Sequence, residues 1–94
     1  MQARVVVVHD EPDFIDRTVA ALRAAGHDVI AFSSSMSAIE ALEHTQQIEV
    51  LVTRVIFPDG QPNGVSLALM TKVEKPGVKI LFAALPETQE HTEA

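Results

Sequence analysis

A run of four valines, residues 5–8, leads directly into His9-Asp10-Glu11-Pro12. An imidazole and two carboxylates at adjacent positions could bind a divalent cation, accept a phosphoryl group or exchange protons. His9-x-Glu11 matches the H-x-E spacing with which zinc deaminases supply a metal ligand and an acid/base. That chemistry also needs cysteine ligands, and this chain has no Cys. A divalent-metal site built from His9, Asp10 and Glu11 is the other option, with Asp10 the candidate ligand. The Arg54 charge would repel the ion if it stands nearby. Ser33-Ser34-Ser35 has the look of a nucleophile cluster, but a loop and helix-capping role accounts for it fully. His27, His44 and His91 are dispersed and read as solvated residues. The lack of Cys also removes disulfides, Cys-type zinc sites and thiol catalysis, and suits a reducing compartment. No G-x-G-x-x-G or Walker loop is present, so nothing supports nucleotide binding.

These residues need elements to position them. Apolar residues at every position of 5–8 predict a strand covered on both faces, since a half-exposed strand would alternate. Three further apolar segments follow at 29–32, 48–52 and 78–84. Between the first two, Pro12 suits a first helical turn and Gly26 a C-terminal cap, with Asp13 and Asp16 near the start and Arg23 near the end. Asp13 and Arg17 are spaced for an i, i+4 ion pair, and Ile15, Val19 and Leu22 fall on one face. A second helix is predicted to open at Ser35 or Ser37. Ser37-x-x-Glu40 reads as its capping box, and Ile39 and Leu42 as its buried residues. A third helix follows the turn residues Asp59-Gly60 and Asn63-Gly64. It is expected to bury Val65, Leu69 and Val73 and to end before Pro76-Gly77. Strands alternating with helices imply right-handed βαβ units and an α/β fold with a parallel sheet. Ligands of such sheets bind beyond the carboxyl ends of the strands. The residues to inspect are therefore the 9–12 cluster, Thr53-Arg54 and Ala83-Ala84.

The chain resembles the response-regulator receiver domain of two-component signalling (CheY-like) over essentially its whole length. The resemblance rests on His9-Asp10-Glu11-Pro12 after the first strand and Gly26-His27-Asp28-Val29 entering the second. It also rests on Ala38-Ile39-Glu40-Ala41-Leu42, on Glu49-Val50-Leu51-Val52, on Pro58-Asp59-Gly60 with Asn63-Gly64, and on Pro76-Gly77-Val78-Lys79-Ile80-Leu81-Phe82. It implies a flavodoxin-like doubly wound sheet in strand order 2-1-3-4, here without the family's fifth strand and last helix. It further implies two acidic residues holding Mg²⁺, an acceptor Asp closing the third strand, a hydroxyl after the fourth and a Lys after the fifth.

Position by position, this sequence departs from that pattern. The acidic pair reads His9-Asp10. The acceptor position, four before Pro58, is Arg54, which stays protonated and cannot be a nucleophile. The hydroxyl position falls on Ala84, or on Ala83 in a register shifted by one, and the Lys has no counterpart. The loop between Arg54 and Gly64 is two residues longer than the family pattern. The resemblance thus implies a degenerate receiver whose usual phosphorylation is lost. In it, Asp10 and Arg54 are expected to face each other across the old metal pocket with Glu11 placed to join them, the alternative being an Arg54 that points to solvent at the sheet edge, and Mg²⁺ binding is weak or lost. Two alternatives stand beside this reading. One is a phosphorelay receiver using Asp10 or Glu11 as acceptor. The other is a small flavodoxin-like ligand- or metal-binding domain, which would need a pocket lined by Phe57, Phe82 and His9.

Composition bounds the remaining choices. The chain has 94 residues, 47% of them hydrophobic and 21% charged, which describes one folded domain spanning 1–94. Residues 85–94 form an acidic tail or the start of a further helix. A net charge of −6 argues against nucleic acid and anionic membranes as partners. The longest apolar stretch, 80–85, is far too short to span a membrane, and the N-terminus does not read as a signal peptide. A cytoplasmic, bacterial, non-enzymatic signalling module with no cofactor is expected, acting through protein partners. The fourth strand would be an unprotected edge, so either the sequence is a piece of a longer chain or another chain supplies the cover, a homodimer being the natural expectation.

Overall fold

The valine run becomes β1 (Arg4–Val8), the second strand in from one edge of a four-stranded sheet. Its four valines are between 0 and 3% exposed, as a strand apolar at every position requires. β2 (Asp28–Phe32) pairs on one side of it, with Val6 opposite Ile30. β3 (Val50–Arg54) pairs on the other, with Val6 opposite Leu51. β4 (Lys79–Ala83) adds beyond β3, Leu51 facing Ile80. All pairs are parallel and the order is β2-β1-β3-β4, as expected from the sequence. This computed structural model describes residues 3–44, 47–57 and 61–83.

Helices cover both faces. On one, Val6, Val8 and Leu51 pack with Ala38 and Leu42 of α2 (Ser35–Leu42), Leu67 of α3 (Gly64–Glu74), Phe57 and Val78. On the other, Val5, Val7 and Val29 meet Phe14, Val19 and Leu22 of α1 (Pro12–Ala24). Alternation along β1 thus feeds two separate cores, the defining feature of a doubly wound fold.

Local chemistry sets the helix ends. Pro12 occupies the first turn of α1. At its far end the Gly26 N–H donates to Arg23 O at 2.9 Å and the His27 N–H to Leu22 O at 3.1 Å, with Gly26 at φ +93°. This is the Schellman arrangement, and it needs the glycine. Arg23 then donates to Val29 O at 3.2 Å, tying the helix end to β2.

Several sequence expectations are corrected here. The third strand runs over 50–54 rather than 48–52, because Ile48 is spent on the core and Glu49 N donates to Arg4 O before the ladder begins. The cap of α2 is Ser34, whose Oγ accepts from Ser37 N at 3.1 Å, so Ser37-x-x-Glu40 is not a capping box. Ser35, Ala38 and Leu42 are the residues α2 buries, with Ile39 only packed against the core's edge. Arg17 donates to the Asp13 carbonyl at 3.3 Å and makes no ion pair with its carboxylate. On α1 it is Phe14, not Ile15, that joins Val19 and Leu22 on the core. The largest difference is in α3, which buries Gly64, Leu67, Ala68 and Thr71. Val65, Leu69 and Val73 face outward, Val73 being 81% exposed. This helix carries apolar residues on two faces, so periodicity alone does not choose between them. The choice is made at Gly64, which must lie against the β3 backbone.

Candidate functional site

The candidate residues gather where the carboxyl ends of β1 and β3 lie side by side. His9 follows β1 and continues its ladder, its N–H donating to Phe32 O at 3.1 Å. Its ring is only 5% exposed and stacks on Phe14, with centroids 4.1 Å apart and planes 21° from parallel. The Glu11 N–H donates to His9 Nδ1 at 3.1 Å. An accepting Nδ1 places the proton of a neutral ring on Nε2. Burial, and after it the Arg54 charge, lower the His9 pKa below the ordinary 6.5, outweighing the opposite pull of Glu11 and Asp10. The 3.8 Å approach of His9 Nδ1 to Asp10 Oδ1 is therefore no salt bridge at neutral pH.

Arg54 is the last residue of β3, the strand between β1 and β4, and is itself paired with Ala83 of β4. Its Nη1 donates a hydrogen bond to Asp10 Oδ1, and Glu11 Oε1 lies 3.7 Å from the same nitrogen. The Asp10 and Arg54 side chains are 23% and 21% exposed, and Glu11 is 52% exposed. The strand order explains the meeting: β1 and β3 are neighbours although Asp10 and Arg54 are 44 residues apart in sequence.

The backbone below Arg54 is fixed from several directions. Thr53, fully buried, donates from Oγ1 to Arg54 O at 3.0 Å. Gly64 N donates to Val55 O at 2.7 Å, bringing α3 so close that a Cβ at Gly64 would lie 1.9 Å from Arg54 O. Asn63 caps α3 by accepting from Ser66 N at 2.8 Å, so Asn63-Gly64 is a helix start rather than a plain turn. Ala83 stands opposite Arg54 in the β3–β4 register and presents no hydroxyl. Ala84, the Pro58-Asp59-Gly60 segment and the 85–94 tail lie outside the described residues.

Four contributors were not legible beforehand. Gln61 Oε1 accepts from both Ser35 N and Ser35 Oγ, at 3.1 and 3.3 Å, and joins the loop before α3 to the start of α2. Gly64 makes the close approach just described. His27 is not merely solvated, since its Nδ1 accepts from Ala3 N at 3.1 Å. Lys75 donates to Leu42 O at 3.1 Å, closing the end of α2. Only Gly64 left a sequence signal, a glycine at the mouth of a helix.

The pocket lacks the lining that the ligand-binding alternative calls for. Phe57 is buried in the α2–α3 core, Phe82 sits on the edge strand and His9 is stacked on Phe14, so the three do not line one cavity. A broad depression lies instead at the opposite end of the sheet, lined by Gln47, Glu49, Lys75 and Lys79 among others. No three His, Asp or Glu side chains converge as metal ligands among the described residues. Magnesium, which the receiver resemblance implies, is a poor fit here. Asp10 Oδ1 is engaged by a permanent cation and His9 Nδ1 by a backbone N–H.

The fold and the position of the pocket define a doubly wound α/β protein of the flavodoxin-like type. Within that class, it has the fold of response-regulator receiver domains. A receiver protein from Sinorhizobium medicae WSM419 superimposes with a TM-score of 0.82 at 23% identity, over 99% of this chain and 76% of its own. A receiver domain protein from Clostridium thermocellum gives 0.82 at 19% identity, over 95% and 70%. A CheY-like receiver domain protein from Methanospirillum hungatei JF-1 gives 0.80 at 18% identity, over 99% and 74%. Likeness at these identities establishes the fold. No family model matches the sequence, and no curated protein matches it.

Proposed function

We propose that this chain is a receiver-like signalling module of a two-component or phosphorelay system that works by protein–protein contact and without phosphorylation at position 54. The receiver fold supports the signalling role. The observation that carries the second half is Arg54 itself. It closes β3, where the receiver resemblance calls for the acceptor carboxylate, and its guanidinium is hydrogen-bonded to Asp10. A guanidinium that cannot deprotonate attacks no phosphorus. Asp10 is a poor substitute, because its Oδ1 is already bound by Arg54. His9 offers no general base to a neighbouring nucleophile, its Nδ1 accepting from Glu11 N and its ring face covered by Phe14. The module is therefore a binding domain rather than an enzyme. Its partner is another signalling protein.

The test is intact-mass spectrometry after incubation with acetyl phosphate and Mg²⁺, beside an active receiver as positive control. The expected result is no phosphoryl adduct on this chain. An adduct that peptide mapping places on Asp10 or Glu11 would overturn the reading and make the chain a working phosphorelay receiver.

A further inference from the structure

We propose that the Arg54 guanidinium is the resident cation of this pocket and closes it to divalent metal ions. The inference deepens the functional reading above and rests on the same pocket. One nitrogen, Arg54 Nη1, bonds Asp10 Oδ1 and lies 3.7 Å from Glu11 Oε1, so both nearby carboxylates look toward a charge already in place. A hard divalent ion needs several oxygen ligands. It would have to take Asp10 from the arginine while standing within a few ångströms of it. His9 supplies no substitute donor, because its Nδ1 is filled by the Glu11 N–H. Nor does the arginine have room to retreat by a backbone shift. Its carbonyl is held by Thr53 Oγ1 and pressed by Gly64, and its strand is paired on both sides.

Charge alone sets a floor for the effect. A divalent ion ~4 Å from a unit positive charge is weakened about 30-fold even at the dielectric constant of water, and more in a partly buried pocket. The size of the effect is measurable by replacing only position 54.

Mn²⁺ binding, followed by electron paramagnetic resonance of the free ion, tests this on the folded chain, with circular dichroism checking each variant. Wild type is expected to leave Mn²⁺ free into the millimolar range. Arg54→Met removes the charge, adds no oxygen ligand and keeps much of the side-chain length. It should bind at least about 30-fold more tightly than wild type. Arg54→Asp adds a third carboxylate and should bind at least about 100-fold more tightly, an effect that Asp10→Asn in the same background should abolish. Micromolar Mn²⁺ binding by wild type would overturn the proposal, as would an Arg54→Met variant that folds yet binds no better than wild type. Mn²⁺ binding by wild type without a phosphoryl adduct would fail this proposal and leave the functional reading standing, whereas an adduct from acetyl phosphate without Mn²⁺ binding would do the reverse. A failure here is thus distinguishable from a failure of the functional reading.

Discussion

Gly64→Ala places one methyl group at the point where α3 meets β3. An ideal Cβ there would lie 1.9 Å from Arg54 O, 2.9 Å from Arg54 C and 3.1 Å from Val55 Cα, all of them backbone atoms. Ordinary contact begins near 3.4 Å, so the start of α3 must retreat by about 1.5 Å for lack of any flexible side chain to yield. That retreat strains the 2.7 Å bond from Gly64 N to Val55 O and loosens Leu67, which is fully buried. Overpacking contributes about 1–3 kcal/mol and the impaired hydrogen bond about 1 kcal/mol. The better helix propensity of alanine returns at most about 1 kcal/mol. The net loss is about 1–3 kcal/mol, which for a domain of this size lowers Tm by roughly 5–20 °C. The assay is thermal and urea denaturation followed by far-ultraviolet circular dichroism. Gly77→Ala is the matched control, since a Cβ there meets nothing within 4 Å and Gly77 does not have a positive φ. It should stay within about 0.5 kcal/mol of wild type. If Gly64→Ala cost less than about 1 kcal/mol, the packing argument for this glycine would be refuted.

A double-mutant cycle with Asp10→Asn and Arg54→Gln is expected to show a coupling of about 1–2 kcal/mol, above that of surface pairs because both side chains are mostly buried. Urea midpoints measure it, and a coupling under about 0.3 kcal/mol would mean the two groups act independently. His9 predicts a pH dependence of definite sign. Its pKa is lowered in the folded chain, first by burial and then by Arg54, so the unfolded chain takes up the proton first as pH falls. The stability held by the neutral ring is complete above the ordinary 6.5 and is lost as pH drops from there toward the folded value. Between about pH 7.5 and pH 5.5, His9→Asn should therefore lose less stability than wild type, and equal losses in urea titrations would remove His9 as the cause. Asn63→Ala deletes the α3 cap and should lower the urea midpoint by the equivalent of about 1 kcal/mol with the slope unchanged.

Much of the fold was legible because it rests on local patterns. Four consecutive valines announced a strand buried on both faces, and Pro12 with Gly26 bracketed α1 to within two residues. The meeting of Asp10 with Arg54 was also within reach, since strand order alone makes β1 and β3 neighbours. What failed was choice among equivalent local signals. Three serines in a row offered three caps, and the geometry of the β2–α2 junction selected Ser34. In α3, one apolar face is Leu67, Ala68 and Thr71 and the other Val65, Leu69 and Val73. Only the requirement that Gly64 touch Arg54 O decides which turns inward. Gln61 and Lys75 act on residues 26 and 33 positions away, contacts that no periodicity encodes.

The two halves of the Asp10–Arg54 pair belong to parts of the fold that differ in firmness. Arg54 ends a strand hydrogen-bonded on both sides, whereas Asp10 and Glu11 lead into α1, a helix without one fully buried residue. Amide exchange follows local opening, so α1 should trade its protons for deuterium well before β1 and β3 do. Each such opening lifts Phe14 from the His9 ring and slackens the chain that carries Asp10, while the arginine stays where the sheet holds it. The pocket is therefore expected to open from the α1 side, at the rate at which α1 exchanges.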